Sequence, residues 1–126
     1  MLWLLTLMTT SQARAAGPDC SRAEAQTDLT LCAIQSRDAA DAALQRTYER
    51  VMEKIDSRQG KTLLRRAQKA WLAYRDRECD FESSGSQGGS IHPMQVAACQ
   101  SAMIHSRIMQ LEHQLSCDET DPSCVP

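Results

Sequence analysis

Apolar residues return every three or four positions over three long stretches of this chain, and no period-2 run is long enough for a strand. In the first stretch Leu29, Ala33, Ala40, Leu44, Tyr48, Val51 and Ile55 form one stripe, which predicts a helix from about Thr27 to about Ser57. Thr27 is the expected N-cap, and Asp28 places negative charge in the first turn. Arg46, Glu49, Arg50, Glu53 and Lys54 alternate in sign away from the stripe, the pattern of a solvated face. Gln59-Gly60 marks the break, with glycine available for a left-handed helix end. A second helix is predicted from about Lys61 to about Glu82, with Leu64, Ala67, Trp71, Tyr74 and Phe81 on or near one stripe and Glu78 interrupting it. Trp71 and Tyr74 read as core.

Ser83 to Ser90 (SSGSQGGS) is small, polar and glycine-rich, a turn. The third helix begins near Ser90 to Pro93, since a first turn tolerates proline, and carries Ala97, Ile104, Ile108, Leu111 and Leu115 as its stripe. The expected architecture is all-α: a small three-helix domain, with helices two and three an antiparallel hairpin about the glycine turn.

Length and leader grammar set the boundaries. The chain has 126 residues, enough for one domain of modest core. Met1 to Met8 is a short apolar run, and Ala13-Arg14-Ala15 supplies a small-x-small cleavage signal, so residues 1–16 read as a signal peptide cut after Ala15 or Ala16. The run falls well short of the ~20 apolar residues that a membrane span needs. Residues 17–116 then form the helical domain and 117–126 a polar C-terminal tail. The expected location is periplasmic or secreted, with no stable membrane insertion once the leader is removed.

Export decides how the cysteines read. All six (Cys20, Cys32, Cys79, Cys99, Cys117 and Cys124) follow the leader, and an even count in a small exported chain points to disulfides. A core of roughly ninety residues is marginal unaided, so bridges serve stability first. In the hairpin, Cys79 lies about a turn before the glycine segment and Cys99 about two turns after it, so the two can face each other. Cys20 precedes helix one and Cys32 lies in its first turns, and Cys117 and Cys124 can close the tail. The expected pairs are Cys20–Cys32, Cys79–Cys99 and Cys117–Cys124. The alternative joins Cys20 or Cys32 to the C-terminal cysteines.

Charge and residue constellations narrow the function classes. The net charge is −2, and removing Arg14 with the leader makes it −3, which gives no support for nucleic-acid binding. No CxxC or Cys/His cluster has zinc spacing, so neither a metal nor another cofactor is expected. His92, His105 and His113 form no HExxH arrangement, and Ser84 and Ser86 have no nucleophile-elbow context. No activated thiolate is expected of six paired cysteines. The chain reads as a non-enzyme, with a monomer favoured.

The segment Ala67 to Cys79 (AQKAWLAYRDREC) carries the most information. Gln68, Arg75 and Cys79 recur at spacings of seven and four, a partly polar stripe beside the apolar one. Arg75 can reach across the helix interface to a carboxylate, with Asp41 the candidate partner, or can contact a partner protein; the first role is the expected one. The pattern Cys20, Cys32, Asp41, Leu44, Tyr48, then Gln68, Trp71, Tyr74-Arg75-Asp76, Glu78-Cys79, then Gly88-Gly89-Ser90 and Cys99 resembles the LprI-like lysozyme-inhibitor domain from about Asp19 to about Leu115.

The resemblance implies a disulfide-stapled helical domain in which these motif residues are structural. In at least some members it also implies inhibition of lysozyme. Gln45 stands where the family often has asparagine, the Cys117–Cys124 tail is not expected of every member, and no lipobox cysteine occupies the usual place.

Acids at the end of helix two oppose the partial negative charge of a helix C-terminus. Lysozymes are typically basic. Asp80, Glu82, Ser86, Gln87, Gly88, Gly89 and Ser90 are therefore the expected contacts with a lysozyme or other cell-wall hydrolase. The alternative is a non-inhibitory envelope interaction or stress-protection module acting through the basic patch Lys61, Arg65, Arg66 and Lys69 on helix two.

Overall fold

A computed structural model describes residues 16–126, so the leader predicted over residues 1–16 lies almost wholly outside the described residues. Three long helices carry the chain: α1 (Gln26–Lys54), α2 (Arg58–Glu82) and α3 (His92–Leu115). A single 3-10 turn, Ser84–Ser86, lies between α2 and α3. The described residues contain no strand.

The core belongs mainly to α1 and α3. Ala40, Leu44, Val51 and Ile55 pack on Ile104 and Leu111, with Tyr48, Leu64, Trp71, Ile108 and Leu115 around them. Each of the leucine, isoleucine and valine side chains contributes about 1.5–3 kcal/mol when fully buried. Side-chain contacts ascend α1 and α3 together, from Gln26–Met94 through Arg37–Gln100 to Lys54–Gln114. Between α2 and α3 they run in opposite senses: Cys79 bridges to Cys99, Asp76 meets Gln100 and Gln68 meets Arg107. The other two disulfides are Cys20–Cys32, which ties the incoming segment to α1, and Cys117–Cys124, which closes the tail. No cysteine is free.

Helix ends depart from the expected positions. α1 starts after Ala25, not Thr27, because the Leu29 N–H already donates to the Ala25 carbonyl at 3.0 Å. It stops at Lys54, where Ile55 turns into the core in an extended conformation. Ser57 then caps α2, its hydroxyl accepting from the Gly60 N–H at 3.0 Å. Gly60 is therefore no helix terminator; it lies in the first turn of α2, where a Cβ would meet Ser57 Oγ at 2.7 Å and Ile55 and Val125 side-chain carbons at 2.9 Å. Lys54 is exposed, as expected of a solvated face, and also donates to the carbonyls of Gln114, Leu115 and Cys117 at 2.8–3.1 Å, a cation over the end of α3.

The rotation of α2 also corrects the expected core. Cys79 is fully buried by its bridge, and an α-helix turns about 100° per residue, so Phe81 points about 160° away from it. Phe81 is 73% exposed and Tyr74 55%, and Ala67 is exposed too. Trp71 is half-buried.

Two outcomes test this description. Gly60→Ala should cost about 2 kcal/mol, a fall in Tm of roughly 10 °C by calorimetry, because the crowding atoms belong to a cap and a packed core. In the tail, Asp118 and Asp121 each accept from the backbone N–H and hydroxyl two residues on (Thr120 and Ser123), which holds both carboxyls below the usual carboxylate value. A lowered folded value means their contribution is present above the ordinary carboxylate pKa and is lost as pH falls through the folded value. Hydrogen exchange at the Thr120 and Ser123 amides, corrected for intrinsic rates, should lose protection only in that acid range.

Candidate functional site

The family-motif residues assemble first as a brace. Arg75, with its side chain only 12% exposed, donates to Asp41 on α1 at 2.8 Å and to Asp76 at 2.9 Å through both Nε and a terminal nitrogen. Asp76 also accepts from the Gln100 amide at 3.1 Å, and Gln100 accepts from Arg37 at 3.3 Å. Arg37 lies one turn before Asp41, so the circuit leaves α1, crosses α2 and α3, and returns to α1. Two spacings make it possible: Arg37 and Asp41, four apart, share a face of α1, and Arg75 and Asp76 are neighbours that reach Asp41 on α1 and Gln100 on α3 respectively.

Trp71 lies beneath a second arrangement. The Arg75 guanidinium carbon is 5.8 Å from the ring centroid, and the Arg107 carbon, from α3, is 5.9 Å from it. Each contact is worth about 0.5–1 kcal/mol where partly exposed. Arg107 also donates to Gln68 at 3.1 Å and to Gln110 at 3.1 Å. Burial pushes its pKa below the ordinary arginine value, and the guanidinium remains charged at any physiological pH. Leu44 is buried and Tyr48 half-buried in the core, Glu78 is half-buried on the flank of α2, and Tyr74 and Asp76 are the exposed members of the motif on α2. Sequence reasoning missed Arg107. Its signal was faint, a lone arginine inside an apolar stripe next to Ile108.

The glycine segment is built at the far end of α2. Hydrogen bonds run in overlapping steps from the Ser86 N–H to Ser83, Gln87 to Ser84, Gly89 to Ser86 and His92 to Gly89, at 2.8–3.3 Å. The Ser86 hydroxyl donates to the Ser83 carbonyl at 2.9 Å, and His92 Nδ1 lies 3.1 Å from both that carbonyl and that hydroxyl. Gly88 takes φ +83°, where an L side chain would be strained. Ser86, expected as a partner contact, is thus half-buried and turned inward, and His92 is a fastener of the turn.

Gln87, Gly88, Gly89 and Ser90 remain exposed. Asp80 and Glu82 are exposed beside them, with a Glu82 carboxylate oxygen 3.3 Å from Cys99 Sγ. A groove of about 280 Å³ opens between Ser90 and the start of α1, lined by Gln26, Thr27, Thr30 and Leu31. A larger hollow, about 650 Å³, lies at the other end beside Lys54, Ser57, Asp118 and Pro126, and holds no motif residue. Among the described residues no group of His, Cys, Asp and Glu is arranged to hold a metal ion. The turn end thus presents neutral hydrogen-bonding groups, with Ser90 also lining the groove.

Comparison with known proteins agrees with the motif. Residues 19–111 match the family described as "Lysozyme inhibitor LprI". An uncharacterized protein of Rhizobium meliloti (strain 1021) is 34% identical over 128 residues, spanning 92% of this chain and 92% of that protein. No solved structure matches.

The brace makes a sharp demand on Arg75. Arg75→Ala should lose about 2 kcal/mol, seen as a drop in Tm of roughly 10 °C, because charge-assisted bonds and the ring contact go together. Arg75→Lys should recover less than half of it, since an ammonium cannot span Asp41 and Asp76 as the guanidinium fork does. An unchanged Tm with loss of partner binding would assign Arg75 to the interface instead.

Proposed function

Because the chain belongs to the LprI lysozyme-inhibitor family, we propose that it is an exported protein that binds a lysozyme or related cell-wall hydrolase and blocks its cleft with the turn end of the bundle. Its three disulfides fit an oxidising compartment, periplasmic or secreted. No helix among the described residues is long and apolar enough to cross a membrane.

The observation that carries the proposal is the turn itself: Gln87 to Ser90 project into solvent although the segment is held by its own hydrogen bonds. An ordered projection enters a cleft without paying again for its conformational entropy. A lysozyme cleft holds two carboxylates that act on the saccharide. Neutral Gln87, Gly88, Gly89 and Ser90 would meet the sugar-binding groups there, and the groove beside Leu31 would receive an apolar part of the cleft wall. Asp80 and Glu82 remain at the rim, where negative charge accelerates encounter with a basic enzyme.

Oxidised protein should inhibit cell-wall lysis by at least one lysozyme type. Gln87→Arg with Ser90→Arg should weaken inhibition about tenfold or more with Tm unchanged, and Glu82→Lys should slow association most at low salt. Absence of inhibition across lysozyme types, with no binding by calorimetry at micromolar protein, would reject the proposal. A second reading, the non-inhibitory envelope module, draws on the exposure of Arg65, Arg66 and Lys69 along α2. It would take over if an envelope protein were captured in a salt-sensitive manner and lost on reversing those charges.

A further inference from the structure

α2 carries an apolar stripe that its own fold leaves uncovered. Leu63, Ala67, Ala70, Tyr74 and Phe81 follow one another by four, three, four and seven, the repeat of a helix-pairing seam in which Arg77 takes the one remaining position. Leu63 is 55% exposed, Tyr74 55% and Phe81 73%, and both alanines are exposed. The small side chains of Ala67 and Ala70 leave room for larger ones on a second helix that packs against them.

Charge along the same helix selects that second helix. From Arg58 to Arg75 α2 has six basic residues and no acid, whereas Asp76 to Glu82 has four acids and one base. Base at the N-terminal half and acid at the C-terminal half oppose the helix macrodipole at both ends, and α2 has no acid in its first turn and no base in its last. The polarity is unfavourable within one helix and self-complementary between two that run in opposite directions.

We propose that two copies of this chain associate through an antiparallel, two-fold pairing of α2. With the axis near Leu72, Leu63 meets Phe81 of the second copy, Ala70 meets its Tyr74, and Arg66 comes beside its Asp80, each contact occurring twice. The seam takes up Asp80 but lies apart from Gln87–Ser90, so each copy keeps its turn free, with Glu82 as its rim acid, and the dimer presents two docking ends. This departs from the monomer expected from the sequence; the mass and charge-swap readouts below stand apart from the lysozyme reading, and only the inhibition readouts rest on it.

Sedimentation equilibrium of oxidised protein tests it, with no free thiol to create a covalent dimer. A concentration-dependent monomer–dimer equilibrium is expected, weakened about tenfold by Leu63→Ser, which leaves lysozyme inhibition intact, and by either Arg66→Asp or Asp80→Arg. Mixing the two charge variants should restore dimer, because the mixed pair has opposite charges at both sites while each variant alone repels itself. Protein that stays monomeric to millimolar concentration overturns the proposal, as does a dimer indifferent to these charges. Loss of lysozyme binding on Leu63→Ser without a change in mass also overturns it, assigning the stripe to a foreign partner.

Discussion

The polar circuit through Arg75 is the constraint on which the arrangement of the three helices depends. α1 and α3 share a conventional apolar seam, and α2 adds little to it beyond Leu64 and the half-buried Trp71. What fixes α2 against α1 is a guanidinium that reaches Asp41 at 2.8 Å while also holding Asp76. What fixes it against α3 is covalent at Cys79–Cys99 and polar at Asp76–Gln100 and Gln68–Arg107. A helix with so small a share of the core owes its pose to directional contacts. The geometry is therefore more specific, and more vulnerable to single substitutions, than an apolar interface of the same size.

That pose has two consequences for what the protein shows to its surroundings. It carries the end of α2 to a place where the glycine segment can close onto His92 and project Gln87 to Ser90. It also turns the Leu63–Phe81 stripe outward. Scaffold and surface are thus set by the same rotation: burying Cys79 and Arg75 obliges Tyr74 and Phe81 to face solvent. The family motif is mostly scaffold, and the surfaces proposed for docking and pairing lie beside it and just past its end.

Much of this was legible in the chain. Period-3.6 stripes separate three helices because both main helix partners are amphipathic over many turns, and the bridge Cys79–Cys99 follows from cysteines about one turn before and two turns after the glycine segment. Asp41 as the partner of Arg75 was legible for a chemical reason, since a buried guanidinium needs a carboxylate within reach. The rotation of α2 was not. Trp71, Tyr74 and Phe81 look like one stripe when apolarity alone is counted; the buried cysteine, about 160° from Phe81, was the better reference. Gly60 misled because glycine marks helix ends and close contacts alike, and only the packing of Ile55 and Val125 decides between them. The order of the turn rests on His92, whose role depends on a carbonyl nine residues away and has no local signature.

The most direct measurement is a double-mutant cycle on stability between Arg75→Ala and Asp41→Ala in the oxidised protein. The account predicts a coupling of about 1.5 kcal/mol, within the range for residues sharing one hydrogen-bonded network and above that of a solvated pair. Additivity within about 0.5 kcal/mol would contradict it, leaving α2 held by its disulfide and its contacts with α3 alone.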